Sequence, residues 1–136
     1  MKPFFIAAVV TAFAFAENVF ITVDQFGYRP SDTKVAVLRD PQVGFDSALS
    51  YTPGNSLQVV ESSSGKVVFT GTPALHNGGV TDSSSGDKIW WFDFSAITQD
   101  GTYYIQDASE ASKKSFPFQI REDIYNDVLK AAVRML

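Results

Sequence analysis

Fifteen Asp and Glu residues and one histidine, with no cysteine, are the side chains of this 136-residue chain that could move protons or hold a metal. Without cysteine there is no thiolate metal site, no disulfide framework and no lipid-modified cysteine. A site built on His76, in "ALHNGG", would have to recruit carboxylates from distant loops, so it reads as an ordinary loop histidine. "DSSSGD" (82–87) places two carboxylates around a glycine, but it lacks the alternating Asp or Asn ligands and the closing Glu of a calcium loop. Asp24, before "QFGYRP", fits a turn or a contact with a neighbouring module better than a general base, and Arg29 either pairs with it or reaches that neighbour. The other acids fall at strand ends and in loops, where solvated carboxylates and turn formers are the rule. The residues call for neither a metal nor a cofactor. The net charge of −4 and the lack of Lys/Arg clusters exclude a nucleic-acid partner.

The elements that position these residues are mostly strands. Seven short runs of strand composition cover 18–24, 33–39, 56–62, 66–71, 88–94, 101–107 and 115–121. Pro, Gly, Ser, Asn and Asp separate them, with one long excursion from Asp40 to Asn55. "ESSSGKVVF" reads as a hairpin in which Gly65 takes positive φ. The pattern implies a mainly β fold: an immunoglobulin-like antiparallel β-sandwich of about seven strands, followed by a C-terminal helix. Period-two alternation puts Trp90, Phe92 and Phe94 on one face and Ile89, Trp91 and Asp93 on the other, the all-aromatic set facing the core. By the same rule Tyr103 and Ile105 face in, with Tyr104 and Gln106 outside.

The two ends differ from this middle. "MKPFFIAAVVTAFAFA" has a basic start, a short apolar run and small residues at its close, the pattern of a cleaved secretory signal over residues 1–16. A membrane span needs roughly 18–20 apolar residues, and this run meets Glu17 and Asn18 too early, so the chain is expected to be secreted or periplasmic. At the other end, in "EDIYNDVLKAAVRML", Ile124, Tyr125, Val128, Leu129, Ala132, Val133 and Leu136 form one stripe on a helix spanning 122–136. Glu122 and Asp123 would lie in its first turn, with Lys130 and Arg134 further on, matching the helix dipole.

"VDQFGYRPSDTKVAVL", "WWFDFSAITQDGTYYIQ" and "SFPFQIREDIYNDVLKAAVRML" together resemble the N-terminal immunoglobulin-like module of family nine glycoside hydrolases, the cellulase-type enzymes. The resemblance runs from about Val19 to Leu136, with "DQFGYRP" and "DFSAITQDGTYYI" its most specific parts. It implies a sandwich over 17–121 and, over 122–136, the first helix of a truncated catalytic module. Ile124, Tyr125, Val128, Leu129 and Val133 would then face that downstream module. It further implies a parent enzyme that hydrolyses β-1,4-glucan with inversion, using a carboxylic acid and a carboxylate about 6.5–9.5 Å apart. In the family these come from an Asp-Ala-Gly-Asp type segment and a Glu late in the catalytic module. Neither motif occurs in residues 1–136, so no catalytic residue is carried over. The alternative is a stand-alone carbohydrate-binding sandwich, in which Tyr28, Trp91 and Tyr104 expose rings that stack on β-glucan. Against it stands the reading that these rings lie under loops or against the catalytic module.

Overall fold

The computed structural model describes residues 19–135, so the secretory-signal reading of 1–16 lies outside the described residues. Eight strands form two antiparallel four-stranded sheets. One has the order β1 (Ile21–Thr22), β2 (Val35–Pro41), β6 (Asp87–Asp93), β5 (Ala74–Leu75); the other has β4 (Val67–Gly71), β3 (Leu57–Glu61), β7 (Gly101–Asp107), β8 (Phe118–Ile120). Helix α1 (Asn126–Arg134) follows. The inward faces carry the residues that alternation selects: Ala36, Leu38, Trp90, Phe92 and Phe94 against Leu57, Val59, Tyr103, Ile105, Phe118 and Ile120. Gly65 sits at φ +69 in the β3–β4 hairpin, as the turn requires.

Two strands are shorter than composition suggests and one is extra. Among the described residues of the run 18–24, Ile21 and Thr22 pair with β2, and Phe20 O accepts the Arg39 N–H at 2.9 Å. The run 115–121 pairs through 118–120, after Pro117, which has no N–H for the ladder. Ahead of it, Ser115 replaces regular pairing by donating its N–H to Ile105 O (2.8 Å) while its Oγ accepts the Ile105 N–H (3.0 Å). β5 falls in a stretch that reads as a separator, and two residues are too few to show a period.

The long excursion after β2 is tied down by charge. Arg39 forks onto Asp87 (Nε–Oδ2 2.9 Å, Nη2–Oδ1 2.7 Å), and its Nη2 also reaches Asp46 at 2.8 Å. Asp40 accepts the Tyr51 N–H at 3.0 Å. Tyr51, almost without exposed surface, packs on Phe20 and donates its hydroxyl to Asp107 at 2.8 Å. Asp107 is fully buried and accepts three more bonds, from the N–H of Gly54 (2.8 Å) and from the N–H (2.9 Å) and hydroxyl (2.6 Å) of Ser109. Burial alone would raise its pKa; the donors, Gly54 first, outweigh it and hold the carboxyl below its usual range.

At the opposite pole the chain leaves β1 and crosses between the sheets. Tyr28 bridges Ile120 of β8 in parallel, its N–H donating to Gln119 O and its carbonyl accepting from the Arg121 N–H, each at 2.9 Å. The crossing turns at Gly27, with φ +91. A Cβ there would lie 2.5 Å from Gln119 O and 2.9 Å from Ile124 Cγ1. Only glycine meets both the backbone conformation and the space.

Asp107→Asn is expected to cost about 3 kcal/mol at pH 7 in urea unfolding, because it turns a charged acceptor of four bonds into a group with a misplaced donor. Since the folded pKa is depressed, the carboxylate's contribution is present above the unfolded value of about 3.9 and is lost as pH falls through the folded one. The gap between variant and parent should therefore narrow below about pH 4. Gly27→Ala is expected to cost about 2–3 kcal/mol through left-handed backbone and overlap with Gln119, and a melting curve indistinguishable from the parent's would contradict that assignment.

Candidate functional site

The chemistry-bearing residues that the fold brings together lie where the sandwich hands over to helix α1. The floor of this region is the loop 24–34. Asp24 Oδ1 accepts the Phe26 N–H at 2.8 Å and its carbonyl accepts the Gly27 N–H at 3.2 Å, so the aspartate makes the turn that sequence suggests for it. Its own N–H donates to the Tyr28 hydroxyl at 2.9 Å. Arg29 pairs with Asp32 (Nε–Oδ1 3.3 Å) and not with Asp24, closing a tight turn in which the Arg29 N–H also donates to Asp32 Oδ2 at 2.8 Å. That backbone bond, reinforced by the guanidinium, holds the Asp32 carboxyl below its usual pKa.

Lys34 organises this loop from beneath. Although it directly precedes strand β2, it has no exposed surface. Its ammonium donates to the carbonyls of Pro30 and Asp32, both at 2.8 Å, and of Arg29 at 3.4 Å. Three donors thus meet three acceptors. Burial lowers the Lys34 pKa, while the charges of Asp32 and Asp93 act in the other direction. Sequence reasoning passes over Lys34, because a lysine beside a turn ordinarily lies in solvent.

The segment after β8 settles into the socket so formed. Ile124, 7% exposed, packs where Gly27 has no side chain. The Tyr125 hydroxyl lies 3.1 Å from Gly27 O and 3.4 Å from Asp32 Oδ2. Burial first, then the charges of Asp32 and Asp24, raise the Tyr125 pKa. These contacts correct the reading of a helix from 122: residues 122–125 form turns, with Ile124 N–H on Arg121 O (3.2 Å) and Asn126 N–H on Asp123 O (3.0 Å). Helix α1 begins at Asn126, and its first-turn acid is Asp127 rather than Glu122 or Asp123. The tertiary hold on Ile124 and Tyr125 overrides their helical spacing. Beyond them the described part of the stripe is open: α1 buries no residue, and Val128, Leu129 and Val133 are 38%, 63% and 61% exposed. Of the five positions expected to face a downstream module, Ile124 and Tyr125 pack on the sandwich itself and the other three remain open.

The three aromatic positions considered for sugar stacking do not come together. Tyr28, which the sugar-binding alternative needs as an exposed ring, is buried, wedged edge-on between Phe94 (5.4 Å) and Phe118 (5.5 Å) from the two sides of the sandwich. Trp91 is half-exposed on the outer face of β6, and the His76 imidazole stacks on it at 4.5 Å and 18°. Tyr104 lies on the outer face of β7, in the other sheet, with the Lys114 ammonium 5.7 Å above its ring. Trp91 and Tyr104 therefore face away from each other across the sandwich and cannot share one flat ligand. In "DSSSGD", Asp82 Oδ1 accepts the N–H groups of Ser84 and Ser85, each at 2.9 Å, and Asp87 receives Arg39. Among the described residues no three His, Cys, Asp or Glu side chains are grouped to hold a metal, and no helix is long and apolar enough to cross a membrane.

Comparison with known proteins agrees with this architecture. Residues 17–112 match the family described as the cellulase N-terminal ig-like domain. Endoglucanase D of Acetivibrio thermocellus is 32% identical over 69 residues, which are 51% of this chain and 10% of that protein. A metagenome-derived glycoside hydrolase family 9 endoglucanase superposes with a TM-score of 0.63 at 35% identity, over 84% of this chain and 20% of that one. A Bacteroides ovatus family 9 protein superposes at 0.64 over 87% of this chain and 18% of its own, and at 23% identity it supports the fold alone. The chain spans about a tenth to a fifth of the length of these proteins. With its sandwich, its inter-sheet crossing at Gly27 and Tyr28, and a match over most of its length, the chain belongs to the cellulase N-terminal Ig-like domain family.

Proposed function

We propose that this chain is the noncatalytic N-terminal module of a secreted, inverting β-1,4-glucan hydrolase, and that it stabilises and orients the catalytic module through helix α1. The observation that carries this reading is the stripe Val128, Leu129 and Val133, left in water on a helix whose root is fixed to the sandwich. A nine-residue helix is marginal in water by itself. Covering its three large apolar side chains is worth about 5 kcal/mol, enough to make the helix part of whatever covers it. The family, and the endoglucanases that the chain resembles over a fraction of their length, support a catalytic module as that cover. Residues 1–16 then serve as the export signal, 17–121 as the sandwich, and 122–136 as the first stretch of the catalytic module. The carboxylates Asp107, Asp87 and Asp32 hold loops together.

Joining the chain at Leu136 to the catalytic module of one of these endoglucanases should slow amide exchange across Val128–Met135 by at least about tenfold, while in the chain alone these amides exchange fast. Leu129→Asp should stay within about 0.5 kcal/mol of the parent in the chain alone and destabilise the joined protein by about 3 kcal/mol or more. Helix amides equally fast with and without the catalytic module would overturn the proposal. So would release of reducing ends from soluble cellulose by the chain alone.

A further inference from the structure

Helix α1 buries none of its nine residues, so its own side chains do not set its direction. The direction is set one step earlier. The first backbone bond of the helix runs from the Leu129 N–H to the carbonyl of Tyr125 at 2.9 Å, which makes Tyr125 the root from which the axis departs. That residue is held at its far end, the hydroxyl lying against Gly27 O and the Asp32 carboxylate, while Ile124 fills the gap over Gly27. The two acceptors are themselves immobilised. Gly27 lies within the turn closed by Asp24, and Asp32 is held by Arg29 at its carboxylate and by the Lys34 ammonium at its carbonyl. A tyrosine held at both its backbone and its hydroxyl cannot swing about its Cα–Cβ bond without breaking one contact.

We propose that Tyr125 and Asp32 are positioning residues that latch the root of α1 onto the socket and so set the bearing at which Val128, Leu129 and Val133 are presented. The latch turns the junction from a flexible tether into a fixed elbow. Ordering that would otherwise be needed when the helix docks is already in place, which favours docking by cutting its entropic cost. The identity of the module that docks rests on the proposed function above; the latch itself does not.

The chain has no cysteine, so spin labels at Ser63→Cys and Asn126→Cys report one distance, from the β3–β4 hairpin to the first turn of α1, ahead of the segment that exchanges fast. Pulsed electron resonance should give a single narrow distance distribution for the full chain. Tyr125→Phe, which keeps the ring and removes only the hydroxyl, should broaden it at least about twofold with the melting temperature unchanged. Asp32→Asn, which weakens the acceptor, should broaden it less. Leu129→Asp, which spoils the stripe without touching the latch, should leave the width as in the parent. A parent distribution that is already broad, or a Tyr125→Phe distribution of parental width, would overturn the latch. Both outcomes are read in the chain alone, so they stand whether or not a catalytic module proves to be the partner.

Discussion

Lys34 has no exposed surface, and an ammonium removed from water persists only where every donor finds an acceptor. Here the acceptors are three carbonyls of the loop directly before it, so the loop must curl with its backbone oxygens turned inward. The rest of the junction depends on that curl. It carries the Asp32 carboxylate to where Arg29 and Tyr125 meet it, and it starts β2 in register with β6 through the bond from the Phe94 N–H to Lys34 O at 2.9 Å. With the Lys34 ammonium replaced by an apolar group, the Pro30 and Asp32 carbonyls would face the interior without that donor, and the loop would have to open.

The opposite pole is built the same way with the signs reversed. There a buried carboxylate, Asp107, gathers donors from the excursion after β2 and from its own following turn, and the Arg39 fork holds the excursion by Asp46 and β6 by Asp87. Between the poles the core is generic: large apolar and aromatic side chains alternating inward from two sheets. The specificity of the fold therefore resides at its ends, where a few charged groups decide how long loops close. Such fully bonded buried charges contribute less to net stability than to the choice of one loop arrangement over others.

This division suits an accessory module. A rigid sandwich with ordered poles can hold a short helix at a set angle, whereas the helix by its own propensity could not persist. Tyr28 links the two: its ring packs between Phe94 and Phe118 in the core, its hydroxyl meets the Asp24 turn, and its backbone bridges the strand that leads to α1.

The periodic parts of the chain were legible from residue order alone. Trp90, Phe92 and Phe94 point inward and Trp91 outward, as period two demands, and Val128, Leu129 and Val133 share a helical stripe, as period 3.6 demands. The Asp24 turn was also legible, because an Asx turn is made within three residues. What order could not decide was the fate of side chains in loops, whose surroundings come from residues distant in sequence. Tyr28 is buried because Phe94 and Phe118 reach it from the two sides of the sandwich, and Trp91 and Tyr104 are separated because β6 and β7 belong to different sheets. The helix starts at Asn126 because Gly27 and Asp32, about a hundred positions earlier, capture Ile124 and Tyr125. Local pattern determined the elements and their faces, since those depend on backbone geometry repeated along the chain. Tertiary structure alone decided the socket, since a buried charge and its acceptors acquire their meaning only when the fold has excluded water from between them.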